Sequence, residues 1–193
     1  MTDLTDVPIR DASTVVLLRD DPDGLQTWLI SRVVGMVFAA GMTRPLARLD
    51  ELGLTLPPVV LPLAAYVPAV RTDSLVFTSG QLPMVDGSLP ATGKVGAQVT
   101  PERAAELARF CILNALAAVD ALVGLDNVVR IVKVVGYVAS TPDFTGQPGV
   151  VNGASTLLGE VFGDAGAHAR SAVGVAALPL DAPVEIELIV EVA

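Results

Sequence analysis

Residues 169–192 read A-R-S-A-V-G-V-A-A-L-P-L-D-A-P-V-E-I-E-L-I-V-E-V, and they predict two β-strands joined by a turn. Ser171–Ala177 is a run of small and β-branched residues, and Val184–Val192 alternates apolar residues with glutamates, as a strand with one buried face does. Pro179 and Pro183 separate the two runs, because a proline cannot donate a hydrogen bond to a sheet ladder.

Arg170 opens the first of these strands and Glu185 opens the second, so the two side chains are the candidate site of the chain. If the strands were paired, both side chains could line one pocket, in which the fixed, two-pronged guanidinium would bind a carboxylate. The pattern leaves other interpretations open. Arg170 could form a surface ion pair, and Glu185 has the same parity as the other two strand glutamates, Glu187 and Glu191.

The remainder of the main segment predicts an α+β fold. Its elements are a hairpin of Ala65–Arg71 with Ser74–Ser79, a helix from Pro101 to about Val123, a β-branched central strand at Asn127–Ala139 and a helix at Gln147–Phe162. Thr100 as N-cap and Gly124 as terminator bound the first helix. With the closing strands the order is β-β-α-β-α-β-β, which predicts one sheet with both helices on the same face.

Residues 1–43 predict a separate β-hairpin extension. Ala12–Leu18 and Leu25–Val33 read as strands around the turn D-D-P-D-G of residues 20–24. This stretch resembles the opening hairpin of a Nudix hydrolase, but the R-E-x-x-E-E helix of the Nudix box, which carries the metal ligands, does not occur. We therefore predict a non-catalytic extension over 1–43, followed by the main domain over 44–193.

Composition narrows the classes of partner. The net charge is −9 with 12 Lys+Arg, which argues against a phosphate-backbone binder. A hydrophobic content of 52% is high for a monomer, so we expect contacts between subunits.

Cys111 is the single cysteine, which allows no intramolecular disulfide and favours a cytoplasmic location. The longest uncharged run, 52–70, holds four prolines and is therefore not expected to cross a membrane.

Three motifs occur in the order that one family shows. They are A-R-S-x-V-x-V-x-x-L-P-x-x-x-x-V-E-I-E from residue 169, A-Y-V-P-A-V-R-T-D-S-L-V-F-T-S-G-Q-L-P over 65–83, and P-D-F followed by V-V-N-G-A over 142–154. Over about residues 56–193 the chain resembles the RidA/YjgF family of reactive enamine/imine deaminases, which also carries the label endoribonuclease L-PSP.

The resemblance implies a chorismate-mutase-like fold, in which one sheet carries two helices on one face and three copies form a homotrimer around a central β-barrel. It implies a hydrolase that converts 2-enamine or 2-imine acids to 2-keto acids and ammonia with no cofactor and no metal. The expected partners are a small carboxylate-bearing imine or enamine and the chain itself, not a membrane or a nucleic acid. The alternatives are a non-catalytic trimer that binds small carboxylates and, disfavoured by charge, an endoribonuclease.

The resemblance also implies roles for six residues. Arg170 grips the substrate carboxylate, and Glu185 positions or activates water. Gly80, in the S-G-Q turn with Ser79, offers its N–H to the second carboxylate oxygen. Tyr66 in the first strand closes the pocket, and Asn152 is the helix asparagine of the family. Arg170 and Glu185 are expected from one subunit, with Tyr66 from its neighbour. Ala172 departs from the pattern, because many members carry a cysteine there.

Overall fold

The computed structural model describes residues 14–21, 24–31, 44–59 and 65–193, and the chain divides into two compact units, 1–36 and 37–193. In the first unit, β1 (Thr14–Asp21) and β2 (Gly24–Ser31) form an antiparallel hairpin, which confirms the predicted pair of strands. The boundary predicted at residue 43 lies outside the described residues. The absence of catalysis in this extension stays a prediction.

The second unit contains a mixed five-stranded sheet and three helices. The elements are α1 (Pro45–Glu51), β3 (Ala69–Thr72), β4 (Leu75–Thr78), α2 (Pro101–Val123), β5 (Val128–Ala139), α3 (Gln147–Phe162), β6 (Ala169–Val175) and β7 (Val184–Val192). Both predicted long helices are confirmed: Thr100 accepts a hydrogen bond from the Arg103 N–H at the start of α2, and Gly124 ends that helix at a φ of 79°.

The strand order is β3-β4-β7-β5-β6, in which β5 pairs parallel with β6 and antiparallel with β7. The two closing strands therefore do not pair with each other, because β5 lies between β6 and β7. A parallel neighbour needs a long crossover connection, which α3 supplies between β5 and β6. The sequence of the closing stretch alone could not show that an earlier strand enters between its halves.

Both long helices pack on one face of this sheet, as predicted. The alternate residues of β7 from Val184 to Val192 are buried, and Cys111 of α2 contacts the Val184 carbonyl in this layer. Val151 of α3 packs against Gly136 of β5. Leu122, which the helical spacing places on the apolar face of α2, is instead 45% exposed, because it lies in the last turn of the helix.

The other face of the sheet, which we call the open face, is only partly covered within one chain. Val70 of β3 is 51% exposed and Val173 of β6 is 43% exposed, and the β7 residues on this face are half-buried. Among the described residues, β5 is therefore covered on its helix face and only partly covered on the open face. Within the described residues, no helix is long and apolar enough to cross a bilayer.

The backbones of α2 and α3 meet at a glycine. A Cβ atom built on Gly153 would collide with the backbone carbonyl of Ala105 in α2, whereas one built on Gly159 of the same helix meets nothing within 4 Å. Gly153 therefore sets how closely the two helices approach, since the obstacle is backbone and not the end of a flexible side chain.

We predict that Gly153→Ala destabilises the protein by about 2 kcal/mol or more, because the helices must separate and the packing beneath them must change. The matched control is Gly159→Ala, which is expected to stabilise by about 0.5–1 kcal/mol through helix propensity alone. Urea unfolding followed by circular dichroism measures both. Equal effects of the two substitutions would contradict the close approach.

Candidate functional site

Arg170 lies on the helix face of the edge strand β6. Its backbone is in register with Val134 of β5, which is in register with the buried Leu188 of β7. Residues in register on neighbouring strands point to the same face. The guanidinium accordingly reaches α3, where its Nη1 donates to Asn152 Oδ1 at 2.8 Å and to Ser155 Oγ at 3.1 Å.

Ser155 continues this polar network to the only histidine of the chain, His168. Ser155 Oγ lies 2.9 Å from His168 Nε2, and His168 Nδ1 lies 2.6 Å from the Gly166 carbonyl oxygen. The side chains of Ser155, His168 and Arg170 face a cavity of about 480 Å³. The spacing of Asn152 and Ser155, three positions apart on α3, puts both on one helical face and is the signal that sequence reasoning missed.

Glu185 lies on the open face of the sheet, in register with Tyr137 of β5. Gln81 and Ile186 exchange both backbone hydrogen bonds, at 2.8 and 3.0 Å, which holds the S-G-Q turn against β7. The carboxylate of Glu185 contacts Gly80, and the missing side chain of that glycine leaves room for it. The structure therefore places the Glu185 carboxylate against the S-G-Q turn at Gly80.

The surroundings of Glu185 favour its protonated form. Burial raises the pKa of the Glu185 carboxyl above its ordinary value, and the nearby charge of Glu187 raises it further. Tyr137, whose hydroxyl donates to Glu187 Oε2 at 3.3 Å, has a pKa raised mainly by burial and then by the Glu187 charge. Such a carboxyl is suited to donate a proton and then to act as a base.

Arg170 and Glu185 do not share a pocket within one chain. Their positions are in register with Val134 and Tyr137 on opposite sides of β5, so their Cα atoms are on the order of 14 Å apart by strand geometry. Their side chains also point to opposite faces. The expectation that one subunit supplies both residues to one pocket is thus wrong. The reason is the insertion of β5, which the closing stretch does not reveal.

Comparisons with known proteins agree with this fold. Residues 59–192, more than half of the chain, match the family model described as Endoribonuclease L-PSP. The chain belongs to this family.

The relatives of this endoribonuclease L-PSP family member cover most of its length. Protein TCP17 of Trypanosoma cruzi is 43% identical over 80% of this chain and 97% of its own. A structure of unknown function from Agrobacterium tumefaciens is 45% identical over 77% of this chain and 92% of its own, with a TM-score of 0.72. A candidate endoribonuclease from Shewanella oneidensis is 32% identical over 78% of this chain and all of its own, with a TM-score of 0.75.

Two Escherichia coli structures extend the comparison to the RidA/YjgF name. YjgF is 30% identical over 69% of this chain and 92% of its own, and TdcF with bound serine is 27% identical over 70% and 94%, both with a TM-score of 0.52. The resemblance drawn from the three motifs is confirmed at the level of the family and of the fold.

Two further residues of the family motif, Ser79 and Tyr66, occupy positions that differ from the roles that the resemblance implies. The Ser79 hydroxyl donates a hydrogen bond to the Val67 carbonyl at 2.7 Å. It therefore stabilises the hairpin of this L-PSP domain. Tyr66 precedes the sheet, because the first strand begins at Ala69 and not at Ala65, and it is 54% exposed.

Cys111 has the packing role that its place on the apolar face predicts. It is fully buried, and burial raises the pKa of its thiol well above the ordinary value, so the nucleophilic thiolate is disfavoured. Among the residues that the structure describes, no group of three or more His, Cys, Asp or Glu side chains has the arrangement of a metal site.

Glu185→Gln is expected to stabilise the protein at pH 7, by at most about 1 kcal/mol because solvent screens this half-buried group. With a raised pKa in the folded state, the wild type loses stability as the pH rises from the ordinary carboxyl value of 4.5 through the folded value. Glutamine does not titrate. The difference between variant and wild type should therefore shrink as the pH is lowered toward 4.5.

The matched control for this prediction is Glu191→Gln on the same strand face, where Glu191 is in register with Arg130. Glu191→Gln removes the attraction between these two opposite charges and should not stabilise the protein. Thermal melts between pH 4.5 and 8 measure both variants, and a pH-independent difference for Glu185→Gln would contradict the assignment.

Proposed function

We propose that this protein hydrolyses 2-enamine or 2-imine acids to 2-keto acids and ammonia. The observation that carries the proposal is the Arg170 guanidinium, fixed through one nitrogen by Asn152 at 2.8 Å and Ser155 at 3.1 Å. A guanidinium held in this way retains further donors for a carboxylate. The relative TdcF holds a serine, an amino acid of the size and charge that the substrate would have.

In the proposed reaction, Arg170 holds the substrate carboxylate, with the Gly80 N–H as a second donor. Glu185 in its acid form gives a proton to the enamine carbon or the imine nitrogen. The resulting carboxylate then removes a proton from a water molecule that adds to the imine carbon. Glu185, protonated again by this step, gives its proton to the amino group of the adduct and takes the hydroxyl proton as the C–N bond breaks, which releases ammonia and the keto acid. The raised pKa of Glu185 supports its two successive roles.

The proposed pocket is shared by two chains. Arg170 and Asn152 lie on the helix face of one chain, and Glu185 and Gly80 lie on the open face, so a complete set requires a neighbour. The homotrimer that the family resemblance implies would supply it, with the open faces turned to a central barrel. Partly exposed apolar side chains on this face, among them Val70 and Val173, would be covered by such an assembly.

Endoribonuclease activity, which the family description names, has less support in this chain. Four of the described arginines pair with carboxylates, at Arg44–Asp126, Arg48–Glu51, Arg103–Glu106 and Arg109–Glu160. Together with the net charge of −9, this leaves little positive surface for a phosphate backbone.

The activity test is ammonia and keto-acid release from imines generated in situ by an amino-acid oxidase. Arg170→Ala is expected to reduce kcat/KM at least about 100-fold, because a two-pronged charged hydrogen bond to the carboxylate is lost. The kcat/KM of Arg170→Lys should fall between those of the wild type and Arg170→Ala, since lysine keeps the positive charge but cannot make the two-pronged contact.

Arg103→Ala is the matched control, an exposed arginine on α2 whose side chain forms an ion pair with Glu106 at 2.7 Å. It should stay within about twofold of wild type, as most surface substitutions do. Carboxylate binding without turnover in the wild type would support the non-catalytic binding trimer instead.

Complementation tests the shared pocket. Arg170→Ala chains and Glu185→Gln chains, each inactive alone, are expected to regain activity when co-assembled, because some interfaces then join an intact Arg170 to an intact Glu185. Sedimentation should give three times the chain mass of 19.9 kDa. No recovery in a mixed trimer, or a monomeric mass, would contradict two-chain sharing.

A further inference from the structure

The polar network beside Arg170 has the parts of a nucleophile with its base. Ser155 Oγ is 2.9 Å from His168 Nε2, and His168 Nδ1 is 2.6 Å from the Gly166 carbonyl oxygen. A carbonyl oxygen only accepts hydrogen bonds, so Nδ1 carries the proton in neutral imidazole and Nε2 is the acceptor. The Ser155 hydroxyl therefore donates to Nε2, and the backbone of Gly166 orients the ring.

Arg170 completes the arrangement. Its Nη1 donates to Ser155 Oγ at 3.1 Å, so the hydroxyl oxygen accepts from a cation while its proton points at a base. A nucleophile, a base within hydrogen-bond reach and a third group that orients the base form the signature of covalent catalysis. A carbonyl oxygen of an acyl group on Ser155 would also lie close to the guanidinium, which favours developing negative charge.

The adjoining cavity has room for a small acyl group. It measures about 480 Å³, and glycines line it next to Ser155 and His168. A Cβ atom built on Gly159 or Gly163 would meet nothing within 4 Å, so the space above these residues is open. The described lining holds Arg170 and Asp164 and no large apolar side chain, so it offers a long acyl chain little apolar surface and suits a short one better.

We propose that Ser155 and His168 form a catalytic dyad that hydrolyses short-chain acyl esters. His168 Nε2 takes the Ser155 proton while Oγ bonds to the ester carbonyl carbon, and the oxyanion faces Arg170. The C–O bond to the alcohol breaks, and the alcohol leaves with the proton from His168. Water repeats the sequence on the acyl-serine, which releases the acid and restores the hydroxyl. This activity does not depend on the deaminase proposal or on Glu185.

The test uses the full chain and p-nitrophenyl acetate, with release of nitrophenolate as the rate and peptide mapping by mass spectrometry as the site readout. Wild type should exceed the buffer rate and carry acetate on Ser155. Ser155→Ala should lose at least about 100-fold of the enzymatic rate, as removal of a nucleophile does. Ser155→Cys should still be acetylated, because a thiol can replace the hydroxyl beside the same base.

Ser171→Ala on the open face of β6 is the matched control and should retain the wild-type rate. The background of acetylation on lysine amines is small, since the chain has only two lysines, Lys94 and Lys133. Acetate on a lysine and not on Ser155, an unchanged rate in Ser155→Ala, or no acceleration by wild type would each overturn the proposal. Ammonia release from imines is measured separately, so that failure of either activity is distinguished from failure of the other.

Discussion

The parallel pairing of β5 with β6 is the constraint on which the rest of the second unit depends. Parallel neighbours cannot be joined by a tight turn, so the chain must cross over the sheet between them. The crossover is α3, and its position over the sheet brings Asn152 and Ser155 to the Arg170 side chain. The polar network on the helix face is thus a consequence of strand topology.

The same pairing separates the two charged residues of the closing stretch. Because β5 occupies the place between β6 and β7, Arg170 and Glu185 lie two strands apart and on opposite faces. Each face of one chain therefore carries one of the two charged residues of the proposed pocket. A protein built in this way depends on self-association for any chemistry that needs both residues, and its open face offers the apolar surface for such contacts.

The two faces also differ in their electrostatics. On the helix face, hydrogen bonds link Arg170, Ser155, His168 and the Gly166 carbonyl, and in neutral imidazole that carbonyl places the ring proton on Nδ1. On the open face, burial raises the pKa of Glu185, and the nearby charge of Glu187 raises it further. The first arrangement suits a poised nucleophile, and the second suits a carboxyl group that holds its proton to a higher pH than an ordinary glutamate.

The sequence by itself determined where the main helices and strands of the second unit lie along the chain. The limits of α3 at Gln147–Phe162 and of β7 at Val184–Val192 follow from periodicity and terminating residues, which are local properties of the chain. The family and its motif residues also follow from the sequence, whereas the contact of the S-G-Q turn with Glu185 comes from the structure. Only the tertiary structure decided the strand order, the opposite faces of Arg170 and Glu185, and the meeting of Ser155 with His168. These features depend on which distant segments pair, and no local pattern in β6 or β7 records that β5 inserts between them.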